Sequence, residues 1–302
     1  MKKKSVLADF SLLMVAFVWG STFAVIKDVL SEAQPLNMMG IRFILATILL
    51  SIMFHKKLKK TTKEAFKGGI IIGLFLFIAM ATQTIGLVYT TASKQAFLTG
   101  TNVVMVPFFV WMVHKKRPDK YAFIGAFLAI VGIGLLTLDG SFSFSTFNKG
   151  DVLTLVCAVF FACHIISIGH FTKKYDPVVL SIVQFGVTGI LFAISAMVFE
   201  SFTLNVGAPV MKAILYLALA GTAFAYTVQN VAQKYTSSSH AAIILCLEAV
   251  FGSLLAVILL GEVLTKRMIL GCAVIFIGII LTETKLEFLK KKNTDVSLEN
   301  GE

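Results

Sequence analysis

The sequence predicts an all-α integral membrane protein with ten transmembrane helices, arranged as two inverted repeats of five helices each. Three observations lead to this prediction: long apolar runs, basic residues gathered in the turns between them, and an internal repeat. Of the 302 residues, 57% are hydrophobic and only 14% are charged, whereas a soluble domain is nearer half apolar and a quarter charged. Runs of about 20 apolar residues are long enough to cross a bilayer as helices.

Short turns divide the chain into ten apolar runs. The predicted spans cover residues 7–28, 36–55, 68–89, 93–113, 121–138, 150–170, 178–199, 210–230, 239–260 and 268–286. The first run follows three lysines, as the core of a signal peptide does. It is long, lacks an Ala-x-Ala cleavage site and has Trp19 in its middle, so we interpret it as the first span. The polar, acidic tail at 293–302 is predicted to be disordered and cytoplasmic.

The basic residues indicate orientation in a membrane. A net charge of +11 could suit a nucleic-acid-binding protein, but the lysines and arginines cluster in short turns, so we expect no nucleic acid as a partner. If the N-terminus is cytoplasmic, most of the 27 Lys and Arg residues fall on the inner side, as the positive-inside rule requires. This pattern predicts a multi-pass protein of the plasma membrane with both termini in the cytoplasm and the lipid bilayer around it.

The second half of the chain repeats the first. Matches occur at a shift of 142 residues in the early spans and 146 in the later ones, which gives two five-helix repeats at 7–138 and 150–286. Residues that interrupt or bound the apolar runs align at these shifts. In order, Asp9, Pro35, Phe43, Gln83, Tyr89, Ser93, Lys120 and Gly125 align with Asp151, Pro177, Phe185, Gln229, Tyr235, Ser239, Lys266 and Gly271. Because five is an odd number, the second repeat enters from the opposite side of the membrane. Folds of this kind bind their substrate near the midplane, between the repeats.

Polar residues inside the spans are the candidates for a substrate site, because a charge at the centre of a bilayer-spanning helix costs about 2.5–3.5 kcal/mol even on insertion scales. The candidate substrate-binding residues are Trp19, Thr22, Arg42, Gln83, Lys94, Asn102, His164, Gln184, Gln229, His240 and Glu248. In the repeat register Arg42 aligns with Gln184, Lys94 with His240, and Asn102 with Glu248. The sequence contains no metal-ligand spacing.

Each charged candidate has a structural alternative. Glu248 either binds a cationic group or a proton in a cavity, or makes a helix–helix hydrogen bond. Lys94 either holds a carboxylate or phosphate, or extends to the outer interface. Arg42 is expected to be buried, paired with Glu248 or with a substrate anion, although it too could reach headgroups. For Gln83 and Gln229 the alternative is helix–helix hydrogen bonding.

Other residues carry weaker expectations. Trp19 either forms a cavity wall or packs between helices, and His164 is expected to be hydrogen-bonded or to face the cavity. Pro107 removes one backbone hydrogen bond and should kink its span, as a structural bend or as a hinge. Asp9 and Asp151 begin their spans and are expected at the membrane interface.

Several short motifs occur in a fixed order along the chain: Trp19-Gly20-Ser21-Thr22-Phe23, Arg42-Phe43 with Ala46, Ala92 to Thr99 with Pro107, Leu247 to Phe251, Gly261-Glu262-Val263-Leu264, Gly271 and Gly278. Taken together, they resemble the EamA-like branch of the drug/metabolite transporter superfamily over about residues 7–285. Two positions depart from the family pattern. Ala249 stands where the family usually has proline, so we expect that helix to be straighter than usual, and the turn at 115–118 lacks the usual glutamate.

This resemblance implies secondary transport of small organic metabolites by alternating access. An amino acid or related organic acid is the favoured substrate class, with export as the direction. The alternative is an exporter of cationic drugs or toxic amines, and a remote alternative is an intramembrane lipid-handling protein.

The sequence shows no phosphate loop and no catalytic constellation, so we expect neither an enzyme nor a cofactor. A proton or another ion is the candidate coupling partner, and the chain is expected to be a monomer or a homodimer.

Overall fold

The computed structural model describes residues 2–115, 117, 120–137 and 148–284. This part of the chain consists of helices and connecting turns, with no strand. The helices are α1 Lys2–Val29, α2 Pro35–Met53, α3 His55–Leu58, α4 Lys63–Tyr89, α5 Ala92–Gly100, α6 Asn102–His114, α7 Lys120–Thr137, α8 Lys149–Phe171, α9 Pro177–Phe199, α10 Ala208–Tyr216, a π-helical segment Leu217–Phe224, α11 Ala225–Gln233, α12 Ser238–Leu260 and α13 Lys266–Thr284. The predicted disordered tail at 293–302 lies outside the described residues.

Within the described residues, eight helical stretches are long and apolar enough to cross a membrane. They correspond to eight of the ten predicted spans; the other two, at 121–138 and 268–286, coincide with α7 and α13. Large apolar side chains point outward from the bundle, as Ile52, Phe199 and Ile258 do. Such a surface would be a liability in water but matches the hydrocarbon of a bilayer.

Local sequence signals explain where several spans begin. Asp176 caps α9 by accepting a hydrogen bond from the backbone N–H of Val178, and Pro177 occupies the first helical position, where its fixed φ suits the helix. Burial alone would raise the pKa of Asp176. The hydrogen bonds from Lys57 and the backbone outweigh that effect and hold this pKa below its ordinary value.

Three further helices start at similar caps. Thr91 and Ser237 each accept a hydrogen bond from the backbone N–H three residues on, at the starts of α5 and α12. Asn148 and Asp151 form a reciprocal capping box at the start of α8, which satisfies backbone donors that the helix itself cannot pair.

Two predicted spans are not regular helices. The span predicted at 93–113 divides into α5 and α6 at Thr101, six residues before Pro107, and α6 runs through the proline itself. The span predicted at 210–230 contains the π-helical segment Leu217–Phe224 between α10 and α11. Such wide turns are rare and occur frequently at functional sites.

Small residues let the helices approach closely. A Cβ atom built on Gly20 of α1 would lie 2.7 Å from the Cβ of Phe251 and 2.8 Å from the backbone nitrogen of Gly252 on α12. Likewise, a Cβ on Gly278 of α13 would lie 2.9 Å from the Cβ of Leu128 on α7. Close contact through small side chains is a common way for helices to associate in a membrane, where burial of apolar surface gives little driving force.

Candidate functional site

A buried cavity lies where α1, α2, α4, α6, α8, α11 and α12 meet. Seven of the predicted site residues line it: Trp19, Thr22, Arg42, Gln83, Asn102, Gln229 and Glu248. The other lining residues are apolar or aromatic: Phe23, Met80, Phe161, Ile165, Tyr226 and Leu245. The volume of the cavity is about 30 Å³, which is room for one or two water molecules.

Arg42 is held by the π-helical segment. Its Nε donates to Thr222 Oγ1 at 2.6 Å and its Nη2 donates to the carbonyl of Gly221 at 3.4 Å. A third, weaker contact runs from Nη1 to Met39 Sδ at 3.7 Å. Only 1% of this side chain is exposed, and no carboxylate of the described residues lies within ion-pair distance of it. The guanidinium is therefore fixed in place but not neutralised.

Trp19 and Tyr226 form an aromatic wall beside this arginine. The Nε1 of Trp19 donates to the same Gly221 carbonyl at 3.0 Å, and its ring centroid lies 4.6 Å from that of Tyr226. The hydroxyl of Tyr226 donates to Met80 Sδ at 3.4 Å. The carbonyl of Gly221 thus orients both Trp19 and Arg42.

Three polar side chains on the other walls lack protein partners. Glu248 is 7% exposed, and among the described residues its carboxylate takes part in no hydrogen bond or ion pair. The side-chain oxygen of Asn102 and both amide atoms of Gln229 are buried without a hydrogen-bond partner in the described part of the chain. Unpaired buried polar groups are costly, so such a cluster indicates water or a ligand in the cavity.

Gln83 differs from Gln229 in having a protein partner. Its Nε2 donates to Thr99 Oγ1 at 3.3 Å, which is the helix–helix hydrogen bond considered from the sequence. It also lines the cavity.

The four remaining predicted residues lie outside this cavity. Lys94 Nζ pairs with Asp151 Oδ2 at 2.7 Å, and His240 Nε2 lies 3.1 Å from Asp9 Oδ1. Asp151 is fully buried within the protein, in the first turn of α8. Its Oδ1 also accepts a hydrogen bond from Thr90.

His164 and Gln184 pair with each other. The Nε2 of His164 lies 3.0 Å from Oε1 of Gln184, and both side chains are fully buried. This bond joins α8 to α9 one layer behind the cavity. Within the described residues, no three His, Cys, Asp or Glu side chains come together as a metal site would require.

Tyr226 and the π-helical segment were missed from the sequence. Tyr226 lies three residues before Gln229 in α11, so the two share a helical face, and this spacing could have identified the tyrosine. The π-helical segment, Leu-Ala-Leu-Ala-Gly-Thr-Ala-Phe, reads as an ordinary apolar helix and carries no comparable signal.

Comparisons with known proteins agree on one family. The model of the EamA-like transporter family matches residues 6–138 and again residues 148–284. An "Uncharacterized transporter" of Archaeoglobus fulgidus is 37% identical over 283 residues, which are 94% of this chain and 88% of the relative. A "Probable amino-acid metabolite efflux pump" of Escherichia coli is 28% identical over 96% of this chain and 97% of its own.

A second "Probable amino-acid metabolite efflux pump", from Salmonella typhimurium, is 27% identical over 89% of this chain and 92% of its own. One solved crystal structure has a similar fold, with a TM-score of 0.69, 18% sequence identity, and coverage of 94% of this chain and 97% of that one. The relatives and the family are transporters and not enzymes.

Proposed function

Because the chain belongs to the EamA-like transporter family, we propose that it is a secondary-active or facilitative transporter that exports an amino acid or a related organic acid by alternating access. The observation behind this proposal is the cavity, whose walls come from both family-matched segments and carry polar side chains without protein partners. Midplane sites between two halves of a chain are typical of secondary transporters.

The proposal includes ten spans in two inverted repeats, at 7–138 and 150–286. Three contacts support the two-fold relation, because each joins a residue to its own repeat equivalent. The rings of Phe43 and Phe185 have centroids 6.1 Å apart. The other two contacts are the hydrogen bond from Tyr226 to Met80 and the one from Cys246 Sγ to the carbonyl of Gly100, each across 146 residues. Only residues on a two-fold axis touch their own equivalents.

The directions of equivalent helices also support inversion. Gly40 of α2 approaches Ala193 of α9, and further along α2 Ile44 approaches Gly189. The sequence numbers therefore rise on α2 as they fall on α9, so the two helices run antiparallel. Equivalent helices related by an axis in the membrane plane must run in opposite directions.

The cavity itself is built from equivalent residues. Five pairs related by a shift of 142 or 146 residues line it together: Trp19 with Phe161, Phe23 with Ile165, Met80 with Tyr226, Gln83 with Gln229, and Asn102 with Glu248. A substrate in this cavity would contact both repeats at once, which is what allows a rocking of one repeat against the other to move it.

Two repeat-equivalent contacts between a basic and an acidic side chain are suited to act as gates. Lys94–Asp151 joins α5 to α8, and its counterpart His240–Asp9 joins α12 to α1. In an inverted repeat these pairs lie on opposite faces of the membrane. We assign Lys94–Asp151 to the outer face and His240–Asp9 to the cytoplasmic face, and each would break when its own side opens.

The orientation predicted from the basic turns completes the proposal: a multi-pass plasma-membrane protein with cytoplasmic termini. A proton or another ion is the proposed coupling partner, and the protein would act as a monomer or a homodimer. The names of the Escherichia coli and Salmonella typhimurium relatives support amino-acid metabolites and export.

The alternative is export of cationic drugs or toxic amines, which Glu248 alone would favour. Arg42 in the same cavity opposes it, because a guanidinium repels a cationic substrate. The remote alternative, a lipid-handling protein, lacks any nucleophile or acid–base pair among the residues that line the cavity.

Counterflow in proteoliposomes tests the proposal. Vesicles loaded with one unlabelled metabolite should accumulate the same labelled metabolite, for at least one of the 20 common amino acids or a related organic acid. Asn102→Leu, which fills part of the cavity, should reduce this exchange at least about tenfold, whereas Ile258→Ala on the outer surface should leave it within about twofold of wild type. Absence of saturable exchange for every amino acid, organic acid and amine tested would overturn the proposal.

A further inference from the structure

Two oppositely charged side chains line one cavity without pairing with each other. Arg42 comes from the first family-matched segment and Glu248 from the second, and no ion pair joins them. We propose that this cavity is a zwitterion site, in which Arg42 binds the carboxylate and Glu248 the ammonium group of one α-amino acid. The proposal rests on the proposed transport function and narrows its substrate class.

The burial of two ionisable side chains, one basic and one acidic, favours a ligand that pairs with each of them. Arg42 is 1% exposed and Glu248 is 7% exposed, and a buried charge with no counter-charge is strongly unfavourable. A purely anionic ligand would neutralise Arg42 and leave Glu248 beside a second negative charge. A purely cationic ligand would do the reverse. A zwitterion satisfies both side chains and adds no net charge to the cavity.

The hydrogen bonds of Arg42 leave the part of the guanidinium that recognises carboxylates available. A guanidinium has five N–H donors. One is used at Nε, one at Nη2 and one, in the weak contact with sulfur, at Nη1. One N–H therefore remains on each terminal nitrogen, which leaves two donors for the two oxygens of a carboxylate. Thr222 and Gly221 act as positioning residues for this guanidinium.

Arg42 and Glu248 are exceptions to the two-fold symmetry of the cavity, because their repeat equivalents are not ionisable. The repeat equivalent of Arg42 is the neutral Gln184, and that of Glu248 is the neutral Asn102. The other equivalent pairs that line the cavity are uncharged on both sides. A symmetric chamber with its positive charge on one half and its negative charge on the other would bind a dipolar ligand in one orientation.

The rest of the wall carries no further charged group. Trp19, Phe161 and Tyr226 present aromatic surface to the cavity, and Leu245 adds aliphatic surface. The remaining polar side chains, Thr22, Gln83, Asn102 and Gln229, are neutral. The inferred substrate class is therefore α-amino acids with uncharged side chains.

Matched analogues test the inference directly. L-leucine, 3-methylbutylamine and 4-methylpentanoate share one side chain and differ only in which charged groups they carry; L-phenylalanine, phenethylamine and 3-phenylpropanoate form a second set. Binding to the purified full-length protein is measured by calorimetry. In at least one set the amino acid should bind at least about tenfold more tightly than either singly charged analogue.

Two neutral variants show which side chain binds which charged group of the amino acid. In Glu248→Gln the amino acid should lose at least about tenfold in affinity. The carboxylate analogue should bind at least as tightly as it binds the wild-type protein, because the repelling carboxylate is gone. In Arg42→Gln the pattern should reverse, with the amine analogue spared. Glu64→Gln, at the exposed start of α4, is the control and should bind all probes as wild type does.

The possible failures are distinguishable. If a singly charged analogue binds the wild-type protein as tightly as its amino acid does, or if no amino acid binds while another metabolite exchanges in counterflow, the zwitterion site is wrong and the transport proposal stands. If nothing exchanges, the transport proposal itself fails. The comparison of analogues on wild-type protein remains decisive even if either variant does not fold.

Discussion

At the scale of single residues, Thr222 is the key to the position of Arg42. Its hydroxyl accepts the hydrogen bond from Arg42 Nε at 2.6 Å, and both side chains are buried. Replacing Thr222 with valine keeps the shape but leaves a charged donor unpaired, which costs about 1–3 kcal/mol. We expect Thr222→Val to lower unfolding stability by about that amount and to weaken substrate binding, as measured by denaturant unfolding in detergent and by calorimetry.

Thr172→Val is the matched control for this change. Thr172 is equally buried, but its hydroxyl donates only to the carbonyl of Ile168 in its own helix. Its loss leaves no charged group unpaired, so stability should fall by less than in Thr222→Val and binding should not change. Equal effects of the two substitutions on binding would show that Thr222 does not position Arg42.

Residue-scale reasoning from the sequence identified part of the cavity lining. The rule that buried polar residues need a reason identified Arg42, Asn102 and Glu248, which the structure brings together around one cavity. The same rule could not separate them from Lys94, because the partner that takes Lys94 out of the cavity lies 57 residues away, on another helix. Which polar side chains share a cavity is a property of helix packing, and composition does not encode it.

At the scale of helices, the pair Lys94–Asp151 ties α5 to α8. The exposed fractions of the two side chains are 12% and 0%, so Lys94→Met would leave a buried carboxylate without its counter-charge. Removing one partner of a buried pair typically costs about 3–5 kcal/mol. We expect a loss of unfolding stability at the lower end of that range, because Thr90 still donates to Asp151. Thermal unfolding of the purified protein measures it.

Lys57→Met provides the comparison. Lys57 pairs with Asp176 at 3.0 Å, but 46% and 40% of these side chains are exposed, and exposed pairs contribute about 0–1 kcal/mol. Its effect should therefore be several times smaller than that of Lys94→Met. If the two substitutions destabilise the protein equally, the pair Lys94–Asp151 does not hold the two helices together.

Helix boundaries were predictable where a cap is written in the sequence, as at Asp176–Pro177 and Thr91. The π-helical segment was not, because its register depends on donors from elsewhere in the fold. Trp19 and Arg42 both donate to Gly221, which is about 180–200 residues away along the chain. The break at Thr101 was also missed, since Pro107 had suggested a disturbance later in that span.

At the scale of the whole molecule, the proposed inverted repeat determines which turns share a face of the membrane. In a cysteine-free background, single cysteines at Lys59 and Lys174 should react with an impermeant maleimide only from the cytoplasmic side. Cysteines at Glu32 and Leu204 should react only from outside. Right-side-out vesicles expose the outer face to the reagent, and inverted vesicles expose the cytoplasmic face. If the cysteines that replace Lys59 and Lys174 were labelled from opposite sides, the protein could not consist of two inverted five-helix halves.

The small volume of the cavity, about 30 Å³, has a kinetic consequence. An amino acid needs several times that space, so it can be captured only by a wider form of the protein in pre-equilibrium with this one. The apparent affinity is then the intrinsic affinity reduced by the fraction of molecules in the wider form. Under this scheme the observed binding rate would level off at high ligand concentration, at the rate at which the chamber widens.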